Sequence, residues 1–572
     1  MKLNRDRAMA GVLEPVFAIR TEEDLGIGDT DGVRQMIDWC HQHGFNIFQT
    51  LPINETSEHH SPYDAISSLA IDPSTIAISP RFVPDLPAAE FGRLATPTLL
   101  AELRAGTVNY NKVKRLKMAL LQAAFGVFFK EEFSTDSGRA QQFRAFLADN
   151  AEWLPDYSLF RVLMVENGHQ SAWDRWPAAH QTPTAARAWL LSLSENEREA
   201  LIHQQHFFMY VQWLAFAQWQ GLKSYGEARG VYLMGDIPFG VGLNSADIWA
   251  NRDLFEPGWS GGAPPEKFFK VDKFTEKWGQ NWGVGIYRWD EMKRRNYKWW
   301  RMRVENIRKV FHFCRIDHVP GFFRLYSFPW PPGRNAEFSD LNETEASENT
   351  GGKLPGFKPF ADDTPEHKAA NQQQGEEALR AVVEAARDTV IVAEDLGLVP
   401  EYVRPTLKKI GIPGYCIPSF FREYDGRYAN PAHYPRLGLA QPATHDHAPL
   451  AAAWEEHWQK IEAGVEAENH RRELRWIMRY AGIHGEEIPR QFTRRLREAF
   501  FRSVLQSNSW LVVVMITDVF GLQTRFNTPG SVSADNWSQR LPRTVKQMDE
   551  DPAWLDLTQT FARLVREARR AP

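Results

Sequence analysis

The chain of 572 residues carries 67 Lys and Arg against 72 Asp and Glu, a formal net charge of -5, so no basic field exists to gather phosphates and a nucleic-acid partner is not expected. Hydrophobic residues at 43% and charged residues at 24% are ordinary for a soluble globular chain, and no apolar run approaches the roughly 20 residues that cross a bilayer, so no membrane partner is expected either. Cys40, Cys314 and Cys416 are too few and too scattered for a disulfide framework or a zinc cage, and Glu14 and Pro15 interrupt the apolar part of the N-terminal segment before it reads as a secretory signal. The expectation is a cytoplasmic protein with an unusual aromatic load of 21 Trp, 36 Phe and 15 Tyr, which suits a large core and the flat faces of sugars.

In chain order, "GIGDTDG" (26–32) lacks the G-x-G-x-x-G spacing of a dinucleotide loop and reads as a helix start capped by Asp29 or Thr30, leading into a helix over 32–44. "FNIFQTLPIN" (45–54) reads as a strand, and His59 and His60 as a solvated loop pair. Residues 74–228 contain repeated amphipathic helical patterns and no clear strand, a helical insertion subdomain. "GVYLMGDIPFG" (230–240) is the next strand. Within 277–300, Trp299 and Trp300 have helical spacing and belong to a core, whereas Trp278 and Trp282 sit among Gly and Asn in a loop and are candidates for stacking on sugar. A helix over 296–311 leads to the strand "FHFCRIDHVPG" (311–321). Residues 331–374, rich in Pro, Gly, Glu and Asn, read as a loop excursion. A helix over 375–388 precedes the strand "TVIVAEDLGLVP" (389–400), and "GLAQPATHDH" (438–447) and "WLVVVMITDVFG" (510–521) complete the strands that the pattern yields.

Apolar runs of this length suit strands covered on both faces, and their alternation with helices predicts an α/β fold. The runs stop at carboxylates or histidines, namely Asp236, Asp317, Glu394, Asp395, Asp446 and Asp518. Polar groups collected at many strand ends predict a (β/α)8 TIM barrel, a single catalytic unit over 1–572, because a doubly wound sheet concentrates its ligand groups at one switch point.

Glycoside chemistry needs one carboxylate that stays ionised and one acid that keeps its proton. Arg315 and Asp317 alternate with Ile316 and leave one face of their strand, so the cation favours an ionised Asp317, suited to a nucleophile. Glu394 follows "TVIVA", a greasier setting that favours a general acid, and Asp446 supplies a third carboxylate to grip hydroxyls. Plainer readings stand beside these. Arg-x-Asp also serves as a structural ion pair, Glu394 and Asp395 also suit a helix cap, and His445 with His447 also suits a metal pair that nothing nearby completes into a cage.

Taken in order, "GIGDTDG", "LPINETSEHHSPYDAISSLAIDP", "GDIPFGVGLNSADIWANRDLFE", "GAPP", "GQNWGVGIYRWDEM", "YKWWRMRV", "FCRIDHVPGFFRLYSFP", "VAEDLGLVPEYVRPTLKKIGIPG", "ATHDH" and "RFNTPGSVSADNW" resemble the amylomaltase or disproportionating-enzyme family, the 4-α-glucanotransferases of glycoside hydrolase family 77. The "GQNWG" and "RIDHVPGFFR" wording is similar to the plant cytosolic branch. The resemblance implies Asp317 as nucleophile, Glu394 as general acid/base and Asp446 as transition-state stabiliser. It further implies that Arg315, His318 and His445 contact the donor sugar, that Tyr63 stacks on it and that Asp236 lines its pocket; Trp282 stands beside these as a substrate contact from its loop setting alone. Lys267 stands where the family has Tyr, in a lengthened segment bordering the acceptor side.

The expectation is a retaining 4-α-glucanotransferase acting on α-1,4-glucans such as maltodextrins, glycogen or starch fragments. It needs no metal and no organic cofactor, and its two principal carboxyls stand about 5 to 5.5 Å apart. The alternatives are an α-glucan hydrolase using the same carboxylates, a metal-dependent barrel hydrolase using His445, His447 and Asp518, and a non-catalytic glycan-binding protein.

Overall fold

The computed structural model describes residues 5–266, 272–530 and 533–572, so Lys267 lies outside the described residues. Eight strands form a closed parallel barrel: β1 (Met9–Leu13), β2 (Ile47–Gln49), β3 (Tyr232–Ile237), β4 (Phe313–Ile316), β5 (Val390–Ala393), β6 (Gly414–Cys416), β7 (Gly438–Ala440) and β8 (Leu511–Met515). Each pairs with its successor in the chain, and β8 returns to β1 in register Met9 with Leu511 through Leu13 with Met515. This is the expected (β/α)8 barrel. The Leu-Val-Val-Val-Met run of β8 is buried throughout, as a strand covered on both faces requires.

Two strands escaped the sequence pattern. β6 is three residues long and opens on Gly, too short to register as an apolar run. β1 lies in the N-terminal stretch, where Glu14 and Pro15 break the run soon after the strand ends. The last residues close the floor of the barrel. The Arg570 guanidinium donates to the carbonyls of Leu505, Ser507, Ser509 and Trp510, and at 3.3 Å to that of Met9, so one buried cation ties the entry of β1 to the approach to β8.

Between β2 and β3 the chain runs through helices that include Tyr110–Val127, Leu154–Glu166 and the 33-residue Glu195–Glu227, which starts at a capping box made by Ser194 and Glu197. A second, four-stranded antiparallel sheet orders Gln280–Val284, Ser260–Ala263, Leu325–Phe328 and Gly356–Lys358 beside the barrel. Its Ser-Gly-Gly-Ala strand has no apolar alternation to reveal it. At Gly262 a Cβ would meet the Gln280 carbonyl oxygen at 1.8 Å, so close strand approach dictates the glycine. The stretch 331–374 contains the short helices Asn335–Phe338 and Glu343–Asn349, and the expected helix over 375–388 begins at Pro365, capped by Thr364. Its first turns, His-Lys-Ala-Ala-Asn-Gln-Gln-Gln, lack the apolar period that marks the rest. No helix among the described residues is long and apolar enough to cross a membrane.

Candidate active site

The barrel register sets the site. Asp236 pairs with Arg315 across β3 and β4, and Arg315 with Val392 across β4 and β5, so the ionisable ends of three strands lie side by side at the C-terminal rim. Beyond β4 the chain enters a turn in which His318 takes a left-handed backbone, φ 45°. There its N–H donates to Glu394 Oε2 at 2.7 Å. The Leu396 N–H donates to Glu394 Oε1 at 3.1 Å, which fixes both carboxyl oxygens. Asp317 therefore sits one residue before the amide that holds Glu394.

Arg315 is buried and its fork spans the cluster. Nη1 donates to Asp236 Oδ2 at 2.5 Å and Nη2 to Asp317 Oδ1 at 2.7 Å, with Nη1 also 3.3 Å from the Tyr63 hydroxyl. Tyr63 in turn donates to Asp236 Oδ2 at 2.7 Å. Burial raises the Asp236 pKa, with Arg315 opposing and Asp317 reinforcing. Burial also raises that of Glu394, from 4.5 to about 8, again against the pull of Arg315 and with Asp317 adding to it. Glu394 thus holds its proton at neutral pH.

Asp446 is driven the other way. Burial disfavours its ionised form, but His445 Nε2 at 3.1 Å from Oδ2, the Asn527 amide donating to Oδ1 at 2.7 Å, and Arg315 together hold it well below the usual carboxylate range. His445 is buried, stacked on Tyr63 at 5.2 Å and 10°, and Trp537 leans on both rings. His318 meets Trp282 edge to face at 5.0 Å, and Trp282 is 40% exposed. Asp236, Arg315, Asp317, His318, Glu394, His445, Asp446, Tyr63 and Trp282 therefore form one connected constellation.

Other expectations land elsewhere. Trp278 is buried and does not offer a face to sugar: it packs edge to face on Trp330 and donates to the Phe338 carbonyl. Its loop is in fact the helix Lys273–Trp278, whose rings build a small core of their own. His60 is no solvated residue either. It stacks on Tyr110 at 4.2 Å, and burial with nearby Lys114 lowers its pKa to about 4. Asp518 lies in the short helix Ile516–Val519, accepts from the Leu450 N–H at 2.7 Å and faces Arg497, away from the carboxylate cluster. Asp395 accepts from the Tyr415 N–H and from Arg404, a structural anchor next to Glu394. Asp29 caps the helix Thr30–His43, and Trp299 and Trp300 are buried, both as expected. Among the described residues no group of three or more His, Cys, Asp and Glu is placed to hold a metal ion.

The sequence model of glycoside hydrolase family 77, described as 4-alpha-glucanotransferase, matches residues 14–546. The chain belongs to that family. A 4-alpha-glucanotransferase of Chlamydia caviae is 28% identical over 94% of this chain and 91% of its own length. The plant relative 4-alpha-glucanotransferase DPE2 of Oryza sativa subsp. japonica is 32% identical over 56% of this chain and 32% of its own length. Amylomaltase from Streptococcus agalactiae superposes with a TM-score of 0.74 at 22% identity, over 99% of this chain and all of its own. Amylomaltase from Corynebacterium glutamicum gives 0.76 at 21% identity, over 98% of this chain and 75% of its own, and both are likenesses of fold. In this family member the "RFNTPG" segment contributes Asn527 to Asp446, and Arg525 donates to the Asp446 carbonyl at 3.0 Å. The sequence pattern by itself assigns that segment no task. The only signal was an Asn between Phe and Thr, and what it faces is decided by a contact 81 residues away in the chain.

Proposed function

We propose that the protein is a retaining 4-α-glucanotransferase that moves segments of α-1,4-glucans, such as maltodextrins or fragments of glycogen and starch, to the 4-hydroxyl of an acceptor glucan or glucose. One observation carries the reading: an acid buried enough to stay protonated to about pH 8 faces a carboxylate held by a guanidinium, at the rim of a parallel barrel. Asp317 attacks the anomeric carbon while Glu394 gives its proton to the departing glycosidic oxygen. A covalent glycosyl-enzyme forms on Asp317, and Glu394, now ionised, takes the proton of the incoming 4-hydroxyl as the acceptor displaces Asp317. Asp446 grips donor hydroxyls more tightly as the ring flattens toward an oxocarbenium ion. Arg315, Asp236, Tyr63, His318 and His445 wall the donor sugar, and Trp282 meets the chain beyond it.

Both displacements are handled by carboxyl groups, so the chemistry calls for no metal and no organic cofactor. The solved Streptococcus agalactiae amylomaltase is a complex with acarbose, which supports a glucan-like ligand. The stretch 74–228 serves as an insertion subdomain of a single catalytic unit, 331–374 as a wall of its cleft, and the cytoplasm as its place of work. Incubation with maltotriose tests the reading. Transfer gives glucose and a ladder of longer glucans, hydrolysis gives maltose and glucose alone, and Asp317→Asn or Glu394→Gln removes the ladder.

A further inference from the structure

His447 is the histidine of the His-Asp-His segment to which the reaction above gives no task. The Thr444 backbone N–H donates to its Nδ1 at 3.2 Å, and the Thr444 hydroxyl lies 2.7 Å from the same atom. An amide N–H only donates, so Nδ1 is the bare nitrogen and the hydrogen of the neutral ring sits on Nε2. The hydroxyl agrees: its oxygen accepts from the Asp446 N–H at 3.3 Å, which leaves its own hydrogen for Nδ1. Burial keeps the ring neutral by lowering its pKa, with Asp446 opposing and His445 and Arg525 assisting. The Nε2 atom is not sealed from solvent as a buried orphan, and no protein acceptor takes its hydrogen among the described residues.

The direction in which it faces follows from the barrel order. Tyr63, Asp236 and Arg315 belong to the β2 to β4 side of the rim, and His445 turns that way onto Tyr63 and Trp537. His447 leaves Asp446 on the opposite side, where its ring meets Phe420 edge to face at 5.6 Å. Phe420 follows β6 and is 51% exposed. Glu394 follows β5. A general acid stands on the leaving-group side of the bond it protonates, so the arc from β5 to β7 is where the leaving sugar departs and the acceptor arrives.

We propose that His447, through its Nε2–H, donates a hydrogen bond to a hydroxyl of the acceptor sugar seated between Glu394 and Phe420, and so favours a sugar over water as the second nucleophile. This rests on the transfer reading. A neutral donor of fixed tautomer suits a neutral hydroxylated ligand, and it costs no charge desolvation when the acceptor displaces solvent.

The experiment uses maltosyl fluoride as donor and maltose as acceptor, with the full chain, His447→Phe and His447→Gln. Phe keeps a flat ring against Phe420 without the N–H, and Gln restores a neutral donor. The expected result for His447→Phe is an acceptor KM raised roughly three- to tenfold, the worth of one neutral hydrogen bond, with a smaller change in donor kcat/KM and a product mix moved toward hydrolysis. His447→Gln recovers most of the acceptor affinity. An unchanged acceptor KM in His447→Phe overturns the assignment, and so does a parallel fall of donor and acceptor constants in both variants, which marks a structural residue. A parent enzyme that releases fluoride but forms no transfer product refutes the transfer reading itself, and is recognised before any variant is compared.

Discussion

The burial of Glu394 predicts how the first chemical step responds to pH. A carboxyl at its ordinary 4.5 would be protonated in only about three molecules per thousand at pH 7, whereas one at about 8 is protonated in roughly nine of ten. Raising the pH through about 8 strips that proton, so kcat/KM for maltotriose should fall about tenfold for each further unit. On the acid side Asp446 remains ionised, being held well below the usual range, and places no limb near neutrality. The assay compares kcat/KM for maltotriose and for maltosyl fluoride between about pH 5 and about pH 10. Fluoride departs without help from an acid, so its profile should stay flat where the maltotriose profile turns down. The same limb on both substrates, or a maltotriose limb at the ordinary carboxyl value, would refute the assignment of Glu394 as acid. The linked effect on stability has a definite sign. The folded pKa lies above the unfolded one, so the folded state loses stability as pH rises from about 4.5 to about 8, by an upper bound of roughly 3 kcal/mol at pH 7.

Arg315→Ala leaves Asp236 and Asp317 without their shared cation, and should destabilise the fold by about 3 to 5 kcal/mol in denaturant titration and abolish glucan transfer. Asn527→Ala removes one of the bonds that hold Asp446 ionised. It should move the acid limb upward and lower kcat for maltotriose more than it raises KM, by about one order of magnitude. Arg570→Ala orphans buried carbonyls on the barrel floor, so the denaturation midpoint should drop by the equivalent of several kcal/mol, about 3 or more, while transfer per folded molecule persists. Exhaustive dialysis against a chelator should leave the maltotriose ladder intact; loss of activity restored by added metal would favour the metal-dependent reading.

Much of this architecture was legible because a parallel barrel writes itself as apolar runs that stop at polar residues. Six such runs correspond to β2, β3, β4, β5, β7 and β8. β1 and β6 were missed because short strands bounded by Gly, Glu or Pro give no run to read, and the lateral sheet because its strands are only three to five residues long and draw their order from pairing across long separations. Trp278 shows the same limit in a single residue. Its Gly and Asn neighbours suggest an open loop, yet rings of Phe328, Trp330 and Phe338 from the far side of β4 enclose it. Asp518 looked like the other strand-end acids and differs in sitting in the helix Ile516–Val519 and in what its side chain meets.

The residue types, their spacing and the one-face alternation of Arg315 with Asp317 are local properties of covalent geometry, and the sequence by itself determined them. It also determined the environment of Glu394 in kind, since a run of Val and Ile ahead of a carboxyl dictates burial. Only the tertiary structure decided which groups meet. The closing of the ring sets Asp236 beside Arg315, the left-handed turn at His318 brings an amide to Glu394, and Asn527 and Trp537 are delivered by segments 525–530 and 533–537. Groups as far as 76 to 81 residues apart in the chain set one another's pKa values from distances of about 3 Å, and in a folded chain such distances are fixed by strand register and loop packing, which no local stretch of sequence contains.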